Sequence, residues 1–92
     1  MLMQHLKILV KGRVQGVGYR ANTLKIAKQL AIKGTVKNRP DGHVEIQAAG
    51  KKQDMHDFVD WCHKGPLFAK VKTITLTPVL SPPLFTDFTI ID

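Results

Sequence analysis

Gly12-Arg13-Val14-Gln15-Gly16-Val17-Gly18-Tyr19-Arg20 joins a stretch of alternating apolar residues to a stretch with apolar residues at helical spacing, and it holds three glycines and two arginines in nine positions. Strand, glycine loop and helix in that order open a β–α unit, from which the rest of the fold is read outward. The same composition suits an anion. Glycines let the backbone curl so that successive N–H groups point inward, the helix start adds partial positive charge, and an arginine forks onto phosphate oxygens. The expectation is a phosphate cradle built from Gln15, Gly16, Val17, Gly18, Tyr19 and Arg20.

Upstream, Leu6, Ile8 and Val10 alternate with Lys7, Leu9 and Lys11, the near-period-2 pattern of a strand over residues 5–11. Downstream, Leu24, Ala27, Leu30 and Ala31 recur at helical spacing until Gly34 stops the pattern, which predicts a helix over residues 21–33. Residues 35–39 and 43–49 are strand-like and flank Pro40-Asp41-Gly42, whose fixed φ and glycine suit a tight reversal, so they should pair as a hairpin. Met55, Phe58, Val59 and Cys62 stand at i, i+3, i+4 and i+7 in a second helix over residues 51–64, ended by Gly65-Pro66. Val71, Ile74, Leu76 and Val79 mark a fourth strand among threonines, and Ser81-Pro82-Pro83 separates it from an apolar tail at residues 84–91 that should form an edge strand. The order βαββαβ, without internal repeat, predicts an α+β fold of the ferredoxin-like kind. Its antiparallel sheet should carry both helices on one face and a short extra C-terminal strand.

At 92 residues and 43% hydrophobic content, the chain suits one domain over residues 1–92 with one modest core. Fourteen Lys and Arg against seven Asp and Glu leave a net charge of +7, a field that gathers anions without choosing among small phosphates, nucleic acid and acidic lipid. Cys62, the only cysteine, cannot close an intrachain disulfide, and no apolar run approaches the roughly 18 residues of a membrane span. The N-terminus has no signal-like apolar core. A cytoplasmic protein without a membrane partner is expected, and as no heptad or long unguarded strand demands assembly, a monomer.

GRVQGVGYR at residues 12–20, followed by GTVKNRPDGHVEIQAAG at residues 34–50, resembles the two signatures of the acylphosphatases. Gly65-Pro66 with Ala69 and Val71, and the tail around Phe88, are similar to later segments of that family. The resemblance implies hydrolysis of small acyl phosphates to carboxylate and inorganic phosphate, the latter also an inhibitor, with no cofactor and no metal. It implies that Arg20 grips the substrate phosphate and that Asn38 positions the attacking water, making these two the catalytic residues. Two positions depart from the family pattern: Tyr19 stands where phenylalanine is commoner, and Thr35 where an aromatic is. Tyr19 keeps a ring to pack beneath the loop, whereas Thr35 removes a large apolar side chain near the second strand.

The chemistry asks for little more. A carboxylate leaving group has a conjugate-acid pKa of about 4, so it departs without a general acid. Charge on the phosphoryl oxygens can be met by backbone N–H groups and a guanidinium that do not reorganise during the reaction. Asn38 cannot take a proton at neutral pH, but its carboxamide offers one acceptor and two donors with which to hold a water in line with phosphorus. The proton would then pass to a substrate phosphate oxygen.

Blander readings stand beside each of these. The loop could be a plain strand-to-helix connection, Arg20 a surface arginine paired with an acid, and Asn38 a cap on the turn beside Pro40. Gly16-Val17-Gly18-Tyr19-Arg20-Ala21 formally fits a dinucleotide fingerprint, but the parallel unit and the acidic residue that fingerprint needs are missing. His5, His43, His56 and His63 are scattered and read as surface residues. His56 with Asp60 offers only two ligands, short of a catalytic metal site. Cys62, Trp61 and Phe68 read as packing residues. An RNA-binding sheet is the main competitor given the charge, yet residues 5–11 and 43–49 carry no aromatic, so nucleic acid is not expected as a partner. A domain binding carbamoyl phosphate within a larger maturation protein is a third possibility.

Overall fold

The computed structural model describes residues 3–92. Seven elements follow one another: β1 (Met3–Arg13), α1 (Tyr19–Gln29), β2 (Lys33–Asn38), β3 (Val44–Lys51), α2 (Lys52–Lys64), β4 (Lys70–Pro78) and β5 (Phe88–Ile90). The strands form one sheet in the order β4-β1-β3-β2-β5. Neighbours among the first four are antiparallel, with Ile8 opposite Ile46 and Leu76, and Val36 opposite Ile46. The antiparallel sheet expected for the first four strands is thus present, and the extra C-terminal strand joins it in the other sense. β5 runs parallel to β2, Gly34 opposite Phe88 and Val36 opposite Ile90, because the chain leaves β4 at one edge and returns to the other.

Period-2 alternation sorts each strand between two faces. Ile8 and Val10 of β1, Val44, Ile46 and Ala48 of β3, and Val36 of β2 are buried and form one cluster with Ala27 of α1 and with Met55, Phe58 and Cys62 of α2. Phe88 closes the cluster beneath β5, its ring 6.1 Å from that of Phe58 at 65°. The other face is polar: Lys7 and Lys37 approach Glu45 at 3.7 and 3.8 Å, and Arg39 Nη1 donates to it at 2.9 Å. Thr35 lies on this polar face, half-buried opposite Gln47 and Thr89. The missing aromatic therefore leaves no gap in the core.

α1 begins two residues before the expected Ala21 and ends at Gln29 rather than continuing to Lys33. Ala31 turns left-handed at φ 55°, and the N–H groups of Ala31 and Ile32 bond the carbonyls of Lys28 (3.4 Å) and Ala27 (2.8 Å). This is the double-bonded helix ending usually made by glycine, here carried by alanine. Gly34 lies inside β2 instead, where a Cβ would collide with the Gln47 carbonyl of β3.

In the hairpin, Arg39 N–H donates to the His43 carbonyl at 2.8 Å and Asp41 Oδ1 accepts from His43 N–H at 3.2 Å. Partial desolvation would raise the Asp41 pKa, but the His43 amide and the Arg39 guanidinium outweigh it and hold the carboxyl below its usual range. The crossing between β4 and β5 is pinned at His5, whose Nδ1 donates to the Ser81 carbonyl at 3.1 Å and whose ring meets Phe85 edge-on. No helix among the described residues is long and apolar enough to cross a membrane.

Candidate active site

A register shift between Lys11 and Gly12 marks a bulge that turns the end of β1 into the glycine loop. Val14, buried, anchors the loop in the core. Gly16 and Gly18 then take left-handed conformations, φ 74° and 79°, and Gly18 is the N-cap of α1. That helix start has no side-chain cap and no acidic residue in its first turn. The backbone N–H groups from Gln15 to Ala21 donate to no protein acceptor among the described residues. Seven free donors curled around two left-handed glycines form a nest of the kind that holds an anion.

Tyr19 supports the nest from below, as the sequence suggested. Its ring is buried 5.3 Å from that of Trp61, and its hydroxyl donates to the Cys62 carbonyl at 2.7 Å, fixing the first turn of α1 to α2. Burial raises the Tyr19 phenol well above its ordinary pKa and pushes the Cys62 thiol up to about 12. Cys62 is thus a protonated core residue rather than a nucleophile.

Asn38 is the last residue of β2 and pairs with Val44. Together with Gly16, Gly18, Arg20 and Ile90 it lines one cavity of about 230 Å³. The four sources are therefore the loop, the start of α1, the end of β2 and β5. Asn38 Oδ1 is buried there without a hydrogen-bond partner among the described residues. Asp41, not Asn38, caps the neighbouring turn. Arg20 is half-buried and, among the described residues, has no carboxylate within ion-pairing distance, which sets aside the surface ion pair.

Two expected lining residues stand elsewhere. The Gln15 side chain donates from Nε2 to the carbonyls of Arg39 (2.8 Å) and His43 (2.9 Å), so it ties the loop to the hairpin. Only its backbone N–H remains for an anion. Val17 lines a neighbouring cavity with Arg13, Lys70, Leu67 and Phe68. Phe68 is 74% exposed, a correction to its reading as a packing residue. Sequence reasoning also missed Ile90 as a wall of the cavity. No local signal marks it, since its place depends on the parallel pairing of β5.

His56 and Asp60 form an exposed pair at 3.5 Å, and among the described residues no three His, Cys, Asp or Glu gather as a metal site. The polar faces of β1 and β3 present Lys7, Leu9, Glu45 and Gln47 and no Phe, Tyr or Trp among the described residues, and the His5 ring on that face is met by Phe85.

Comparison with known proteins gives a consistent result. The acylphosphatase family profile matches residues 6–90. An acylphosphatase of Marinobacter nauticus is 41% identical over 88 residues, 96% of each chain. The crystal structure of acylphosphatase from Bacillus subtilis superposes with a TM-score of 0.93 at 37% identity, covering 99% of this chain and 100% of that one. A full-length HypF, solved in a phosphate- and nucleotide-bound form, matches with a TM-score of 0.86 at 26% identity, over 99% of this chain but 12% of its own.

Proposed function

The chain belongs to the acylphosphatase family, whose reaction is the hydrolysis of acyl phosphates, and we propose that Arg20 and the amides of residues 15–20 hold the phosphoryl group while Asn38 aims the water. The observation that carries this reading is that Asn38 and Arg20 line the same cavity, with Asn38 Oδ1 buried and without a hydrogen-bond partner among the described residues. A buried acceptor without a partner costs about 1–3 kcal/mol, and a water placed on it recovers that cost. The same water then stands beside the phosphorus of a substrate seated on the nest.

The water oxygen attacks phosphorus, the bond from phosphorus to the acyl oxygen breaks, and the carboxylate leaves with the bonding pair. The water proton passes to a phosphoryl oxygen, since among the described residues the cavity lining contains no carboxylate or histidine. Arg20 and the nest meet the equatorial oxygens with donors already in position, which lowers the barrier without a reorganisation cost. Inorganic phosphate, the product, occupies the same donors and inhibits competitively. The weak basicity of the leaving carboxylate removes the need for a metal, and we read the enzyme as metal-independent, a monomer and cytoplasmic. Turnover of benzoyl phosphate in excess chelator, with a phosphate monoester left intact, is the expected result. Loss of turnover on chelation would overturn the metal-independent reading.

A further inference from the structure

Beside the phosphate cavity lies a second groove of about 510 Å³, and Gly16 lines both. Its walls come from the end of β1, the start of β4 and the turn between α2 and β4. Ala69 N–H donates to the Pro66 carbonyl at 3.0 Å, closing a turn whose two corner residues are Leu67 and Phe68. Corner side chains project outward, which is why these are 89% and 74% exposed. A large exposed apolar pair on a rigid turn next to a reactive centre is a surface for a ligand's hydrocarbon part.

The charges on the groove are equally specific. Arg13 of β1 stands directly opposite Lys70 of β4 in the sheet register. Like charges placed across a strand pair repel. Neither has a carboxylate within ion-pairing distance among the described residues. A second anion between them would relieve that repulsion.

We propose that this groove is the acyl-group subsite and that it selects acyl phosphates whose acyl group carries its own anion, held by Arg13 and Lys70, with the intervening hydrocarbon against Leu67 and Phe68. The proposal rests on the reading of residues 15–20 as the phosphoryl cradle. With phosphorus on the nest, the acyl group leaves past Gly16 into the groove.

Benzoyl phosphate and 4-carboxybenzoyl phosphate test it, because the para carboxylate adds an anion while barely altering the leaving group's acidity. At low ionic strength kcat/KM should favour the carboxylated substrate about threefold to tenfold, the range open to two exposed charge contacts. Arg13→Gln with Lys70→Gln should bring the ratio to about one, while Lys25→Gln with Lys28→Gln, which removes as much charge from α1, should leave it intact. Phe68→Ser should lower kcat/KM for both aromatic substrates relative to acetyl phosphate. No preference in the natural chain, a preference that survives loss of Arg13 and Lys70, or an equal loss in the α1 control would overturn the proposal. Failure to hydrolyse either substrate would instead overturn the cradle reading. Titration with benzoylphosphonate and 4-carboxybenzoylphosphonate then decides the subsite: tighter binding of the second supports it, and equal binding refutes it.

Discussion

Gln15 Nε2 donates to the Arg39 carbonyl at 2.8 Å, and through that bond the loop that leads into Arg20 is fastened to the turn that follows Asn38. A second bond from the same amide to His43 at 2.9 Å makes the fastening bidentate. Gln15→Leu should remove one of two donors from each carbonyl, since Gly42 N–H still bonds the Arg39 carbonyl and Arg39 N–H the His43 carbonyl, and cost about 0.5–1.5 kcal/mol of stability per bond lost. Because a shift of about 1 Å in a catalytic group can cost 10²-fold, kcat should fall at least tenfold. Urea unfolding and steady-state kinetics on benzoyl phosphate measure the two effects. An unchanged kcat would show that the hairpin does not need this tie.

Arg20 and Asn38 should separate binding from chemistry. Arg20→Ala should abolish both phosphate binding and turnover, and Arg20→Lys should recover little, since a point charge lacks the guanidinium fork. Asn38→Ala should still bind inorganic phosphate while kcat falls by about 10²-fold or more, the scale of losing an orienting contact. Phosphate titration by NMR together with kinetics reads both. Full activity in Asn38→Ala would remove it from the reaction.

Ala31 takes the left-handed position at φ 55° that glycine fills more easily. Ala31→Gly should raise stability by about 0.5–1 kcal/mol, because relief of backbone strain outweighs the greater freedom of glycine in the unfolded chain. The measurement is a urea midpoint with an unchanged m-value and unchanged kinetics. A lower midpoint would mean that the helix ending is already unstrained.

Tyr19 and Cys62 make stability sensitive to alkali. Burial raises both pKa values, from 10.0 for the phenol and from 9.0 to about 12 for the thiol. The folded chain therefore keeps protons that the unfolded chain loses, and their contribution is complete below about pH 9 and declines above it. The loss should reach about 1.4 kcal/mol per pH unit for each group that has begun to titrate in the unfolded chain. Cys62→Ala should be less stable at pH 8 but show a flatter decline between pH 9 and 10. Identical slopes for the two chains would refute the assignment.

The element order and both helices were legible because Ile8, Val10, Met55 and Phe58 recur at the periods that burial demands. Arg20 and Asn38 were singled out by the resemblance of residues 12–20 and 34–50 to the acylphosphatase signatures, and both line one cavity. Gly34 misled: a glycine after a helical run reads as a helix stop, but its real constraint is the Gln47 carbonyl across the sheet, which no local pattern reports. The direction of β5 was hidden for the same reason, since it is set by where the chain lands after crossing from His5, Ser81 and Phe85. Gln15 looked like a ligand residue because its bonding partners, Arg39 and His43, come together with it only after the hairpin folds back.

Ile90 forms a wall of the cavity whose floor begins at Val14. This hollow is thus assembled from segments far apart in the chain, just as β1 finds its outer partner in residues 70–78. Closing such distant loops before any contact repays the entropy is slow, on the order of milliseconds to seconds for chains dominated by non-local pairing. Activity should therefore emerge late on the ribosome, only when the tail around Ile90 has cleared the exit tunnel and docked.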